Sequence, residues 1–69
     1  MKTNTSLAMF IYTKREEMGI TRDQLAEMLN VSPRTIYYWE SEQERKPQLS
    51  ALFQLTQIFN VAMEDMLFI

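Results

Sequence analysis

Cysteine and histidine are both absent from the 69 residues. Without cysteine no disulfide can staple the fold, and nothing argues for an oxidising compartment. Without either residue, zinc and haem lose their usual ligands. One glycine and two prolines leave little to interrupt helices, so helices joined by short turns are expected rather than strands. No run approaches the roughly 20 apolar residues of a membrane span, and no membrane contact is expected. The short apolar run Leu7 to Ile11 soon meets Lys14-Arg15-Glu16-Glu17 and carries no small-residue cleavage site. A signal peptide is therefore not expected, and the expected location is cytoplasmic. Glu40, Glu42 and Glu44 cluster, yet no histidine, cysteine, glycine-rich loop or metal-spaced set accompanies them. No enzyme, cofactor or metal is expected on that basis.

What is present describes a folded domain, 46% hydrophobic and 23% charged. Its length suits one domain over 1–69, near the lower limit for a core that holds itself together. No second domain is expected to hold a small-molecule ligand. The net charge of −2 runs against the basic balance usual in a nucleic-acid binder. Distribution matters more than the sum. Six of the seven basic residues lie between positions 14 and 46, so a local positive face is expected on a mildly acidic protein.

Residues 1–5 are polar and expected to be disordered. Ser6 is a candidate cap for a first helix, with Leu7, Ile11, Met18 and either Met9 or Phe10 on its apolar stripe and Gly19 as its stop. Ile20 is expected to enter the core. Thr21 and Gln24 fit a capping box for a second helix with Leu25, Met28 and Leu29 on its stripe and Ala26 beside it. Asn30 suits the left-handed stop of that helix. Val31 would plug the turn, Ser32 would cap a third helix, and Pro33 would fill its first position. Ile36 and Trp39 then point inward. After Pro47 a fourth helix carries Leu49, Leu52, Leu55, Ile58 and Phe59, with a poor cap at its start. Asn60-Val61 repeats the earlier stop, and Met63 to Ile69 reads as a fifth, short helix. The expected class is all-α.

Two helices that cross through a three- to four-residue turn make four demands on sequence. A small residue must sit at the close approach (Ala26), and a residue able to turn the chain must follow (Asn30). Apolar residues must clamp the angle (Leu25, Leu29, Val31, Ile36 and Trp39), and the second helix must keep a polar face free. All four are met in register over Arg22 to Ser41, which reads as a helix-turn-helix that binds DNA.

The chain resembles the Cro/cI-type phage repressor domains of the XRE family from about Ile11 to Leu67. The carriers are Arg15 before Met18-Gly19-Ile20-Thr21, the Gln24-Leu25-Ala26 run, Val31-Ser32 before Arg34-Thr35-Ile36, Trp39-Glu40, Pro47, and Leu49 to Val61. The resemblance implies a compact five-helix repressor-like DNA-binding domain, its helix-turn-helix made by helices 2 and 3. It implies a sequence-specific transcriptional regulator, a repressor, whose third helix (about 33–40) enters the major groove of double-stranded DNA. Base contacts would fall to Pro33, Arg34, Tyr37 and Tyr38, with Arg34 able to pair bidentately with guanine. Phosphate contacts would fall to Thr21, Arg22, Ser32, Arg45 and Lys46. Arg15 and Glu40 would form a structural ion pair. Three positions depart from the family's pattern: Arg22 replaces a usual glutamine, Glu42 a usual glycine, and Pro33 a residue able to hydrogen-bond a base.

Of the two tyrosines, Tyr38 is expected to be the more exposed, and the six methionines are expected to act as core filler. The apolar tail Met66, Leu67, Phe68 and Ile69 is a candidate dimer contact, and a homodimer is expected. The alternative reading is a protein-interaction module on the same fold (antitoxin-like, anti-repressor or regulatory subunit) with little DNA binding. The acidic balance favours that alternative.

Overall fold

A computed structural model describes residues 6–41 and 46–67, the side chain of Leu67 excepted. The expectations for residues 1–5, Glu42, Glu44, Arg45, Phe68, Ile69 and the Leu67 side chain lie outside what is described. Five helices follow in order: α1 Leu7–Met18, α2 Arg22–Leu29, α3 Pro33–Glu40, α4 Leu49–Phe59 and α5 Met63–Leu67. None among the described residues is long and apolar enough to cross a membrane.

Local chemistry explains where the first three helices begin. Ser6 accepts a bond from the Met9 amide at 3.1 Å. Thr21 and Gln24 form a reciprocal capping box, with bonds of 3.1 and 2.8 Å. Ser32 accepts from the Thr35 amide at 3.3 Å, and Pro33, which has no N–H to leave unsatisfied, takes the next position. Three helices end alike. Gly19, Asn30 and Asn60 are left-handed, at φ 70°, 61° and 58°. The amide after each reaches back to a helix carbonyl: Ile20 to Arg15, Val31 to Ala26 and Val61 to Thr56. Ile20, Val31 and Val61 then pack against the core, so each stop also delivers an aliphatic anchor.

The largest fully buried side chains come one from each of four helices, namely Ile11, Leu25, Ile36 and Leu55. Around these lie Ala26, Leu29, Trp39, Leu52, Phe59 and Met66. α3 packs on α1 and α2, α4 on α1 and α2, and α5 on α4 and α1. The α2–α3 pair thus rests on a backing of α1 and α4.

Several expected inward residues point outward. Met18 is exposed because the chain turns at Gly19 and Ile20 takes the inner place. Met28 is 52% exposed. At about 100° per residue, the buried arc of Leu25, Leu29 and Ala26 is centred away from it, since α3 crosses on the Ala26 side. Leu49 is 68% exposed; it opens α4, and helix side chains lean toward the N-terminus, beyond the last core layer. Met9 is exposed too, and Phe10 packs inward instead. The methionines are therefore mostly not core filler: Met66 is buried and Met63 partly so. Met66, at the start of the apolar tail, is 3% exposed in the single chain.

Candidate nucleic-acid interface

Helical periodicity sorts α3 into two faces. Pro33, Arg34, Tyr37 and Tyr38 fall within an arc of about 140°, opposite the buried Ile36 and Trp39. Pro33 and Arg34 are exposed, and Arg34 forms no ion pair among the described residues. Tyr37 is 49% exposed and Tyr38 is half-buried, the reverse of the expected order. Adjacent rings meet at 5.9 Å, tilted by 58°. Ser41 folds back over the end of α3, its amide and hydroxyl both donating to the Tyr38 carbonyl. Tyr37 leans toward the start of α2, its ring beside the Arg22 guanidinium.

Glu40 is the last residue of α3. Its side chain is only 2% exposed, and an unpaired carboxylate there would be costly. Arg15 answers it bidentately, Nε to Oε2 at 2.7 Å and Nη2 to Oε1 at 3.2 Å. The remaining Nη1 of Arg15 donates to the Ile20 carbonyl at 2.8 Å, which ties α1, the α1–α2 turn and α3 together. The hydrogen bond that Arg15 donates to Glu40 holds the guanidinium above its ordinary pKa, outweighing the opposite pull of burial. No buried side-chain nitrogen or oxygen among the described residues lacks a partner.

A second arginine meets the same carboxylate. Arg22 Nε donates to Glu40 Oε1 at 3.0 Å, and the Arg22 guanidinium stands 5.4 Å from the centre of the Tyr37 ring. Sequence reasoning missed both contacts. The only signal was the arginine itself, standing where a glutamine is usual, with no local partner to explain it.

The cationic groups flank α3 on two sides. Arg22 lies beside Tyr37, and Lys46 is exposed at the rim of a groove lined by Val31, Thr35, Trp39, Gln48 and Gln54. Thr35 and Tyr37 lie on opposite flanks of the helix. Thr21 and Ser32 are exposed at the starts of α2 and α3, each with its oxygen already engaged as a cap. Among the described residues no group of three His, Cys, Asp or Glu side chains gathers to hold a metal ion.

Residues 11–66 match the helix-turn-helix family. No curated protein gives a significant match. A transcriptional regulator from Listeria innocua, known from its crystal structure, superposes with a TM-score of 0.82 at 31% sequence identity. The match covers 88% of this chain and 56% of that one. This chain therefore spans little more than half the length of that regulator.

Proposed function

The chain belongs to the helix-turn-helix family, and from that premise we propose that it is a DNA-binding transcriptional regulator. In this reading it is a cytoplasmic repressor that lays α3 in the major groove of a palindromic operator. One observation carries it. The outward face of α3 presents Arg34, which forms no ion pair among the described residues, between two flanking cations, Arg22 and Lys46. A groove-bound helix needs that order, with a base reader in the middle and phosphate contacts toward the two strands.

Arg34 reads guanine through its guanidinium fork, worth about 1–3 kcal/mol of discrimination, with Pro33, Tyr37 and Tyr38 beside it on the groove face. Thr21, Arg22, Ser32, Arg45 and Lys46 meet phosphates, helped by the free amides and dipoles at the starts of α2 and α3. Two copies pair through the tail Met66, Leu67, Phe68 and Ile69, setting their recognition helices about one DNA turn, roughly 34 Å, apart. Deleting Phe68 and Ile69 raises the dimer dissociation constant in this reading. An unchanged sedimentation profile would remove the tail from the interface.

A salt titration on duplex DNA tests the function. Affinity falls log-linearly, with a slope of about −0.9 per phosphate neutralised. Absence of binding at low salt sinks the reading. Arg34→Ala relaxes preference at one operator position more than it lowers non-specific affinity; equal loss in both makes Arg34 a phosphate contact only.

A second reading, a protein-interaction module, has its own supporting observation. Leu49 and Phe53, four residues apart on α4, are 68% and 57% exposed, and the net charge is −2. The same titration separates the two readings.

A further inference from the structure

Arg22 is held on two sides and open on the third. Its Nε is bonded to Glu40, and one face of its guanidinium lies over Tyr37. Its two terminal nitrogens make no hydrogen bond among the described residues, and the side chain is 44% exposed. Glu40 is no loose partner, because Arg15 grips it bidentately and is itself anchored on the Ile20 carbonyl. Arg15 also cancels the carboxylate charge, so the positive charge of Arg22 stays available to an outside anion.

A guanidinium is a rigid fork whose terminal nitrogens suit two oxygens of one phosphate. An unheld arginine side chain loses rotamer freedom when it binds; one already fixed at Nε and at its face loses much less. We propose that Tyr37 is a positioning residue for Arg22, which acts as a preset phosphate clamp held between Tyr37 and Glu40. Tyr37 then serves the DNA backbone through Arg22 and does not itself read a base. The proposal rests on the DNA-binding reading above and reassigns one of its residues.

Phosphate contacts carry no sequence information, so a mixed-sequence duplex is a sufficient probe and no operator is needed. The test is a salt titration of the full chain and of Arg22→Ala, Arg22→Lys, Tyr37→Phe, Tyr37→Leu and the Arg22→Ala/Tyr37→Leu pair. Both positions are largely exposed, and melting curves confirm that each variant is folded. Arg22→Ala lowers the magnitude of the log–log salt slope by about 0.9, the loss of one phosphate. Arg22→Lys keeps the slope but binds more weakly, because a point charge replaces the fork. Tyr37→Phe keeps the ring and binds as the wild type. Tyr37→Leu weakens binding about two- to fivefold, the range of an exposed cation–π contact, and has no further effect once Arg22 is alanine. Equal cost of Tyr37→Leu in both backgrounds, or an unchanged slope in Arg22→Ala, overturns the clamp while DNA binding stands. A wild-type chain that binds no duplex at low salt overturns both together.

Discussion

Both halves share one apolar core, but the half built from α1, α2 and α3 adds polar contacts that α4 lacks. In the first, Ser6, Thr21 and Ser32 each cap a helix with a side-chain bond, and the buried Arg15 is matched by Glu40. In the second, α4 starts at Gln48 with no side-chain cap and is held by Leu52, Leu55, Thr56 and Phe59 facing inward. Hydrogen bonds and ion pairs are directional, whereas apolar burial is not. A helix that enters a groove at one angle, as proposed for α3, gains from the first kind of contact. A helix that only backs the core can rely on the second.

The sharpest way to break the contrast is Glu40→Ala. It leaves the guanidinium of Arg15 buried without its carboxylate, which costs about 3–5 kcal/mol. The second arginine adds little to that figure, because Arg22 is 44% exposed and solvent screens it. A domain of this size has little stability to lose, so urea unfolding of Glu40→Ala is expected to show a largely unfolded chain at 37 °C. A midpoint within experimental error of the wild type would show that the buried pair does not hold the α1–α3 half. Next in size is Asn30→Ala, which forces a side chain with a Cβ and no compensating polar group into φ 61°. The expected cost is about 1–2 kcal/mol, with Asn30→Gly near neutral or better. If alanine matches glycine there, the turn between α2 and α3 is not under conformational control.

The α1–α3 half was also the more legible in sequence, for the same reason. Caps and stops act over three to five residues, so Ser6, Gly19, Thr21 with Gln24, Asn30 and Ser32 with Pro33 could each be read in place. Asn60 followed by Val61 could be read as a repeat of Asn30 and Val31. What was not legible depends on how whole helices are rotated against one another. Met28 and Leu49 satisfy an apolar period and still face outward, because the neighbouring helix decides which part of the stripe is covered. The candidate site divides the same way. The outward position of Arg34 follows from Ile36 and Trp39 facing inward, a local inference. The bond from Arg22 to Glu40 spans 18 positions, and the order of exposure of Tyr37 and Tyr38 depends on tertiary packing. Neither leaves a trace in spacing.

The smaller changes sharpen the comparison by giving α4 what it lacks. Gln48 already has the extended backbone of a capping residue, φ −69° and ψ 165°, but makes no side-chain bond. Gln48→Ser supplies a hydroxyl at the right place and is expected to stabilise the fold by about 0.5–1 kcal/mol, read as a shift of the urea midpoint at unchanged slope. The mirror change, Thr21→Ala, removes one side of the capping box and is expected to cost about the same. If the two shifts fail to oppose each other, side-chain capping is not what separates the halves.

The smallest effect on stability is expected where the exposed apolar surface is largest. Leu49 and Phe53 lie outside the core cluster, so Leu49→Ser with Phe53→Ser removes little buried area and should change the unfolding free energy by no more than about 0.5 kcal/mol. Their exposure still needs a reason, because a soluble surface loses nothing by carrying serine there. The double variant therefore divides the α4 face from the α3 face by function. DNA affinity and salt slope should match the wild type if the groove face is confined to α2, α3 and Lys46. A loss of DNA binding with the fold intact would place α4 in that interface, and α4 could no longer be described as backing alone.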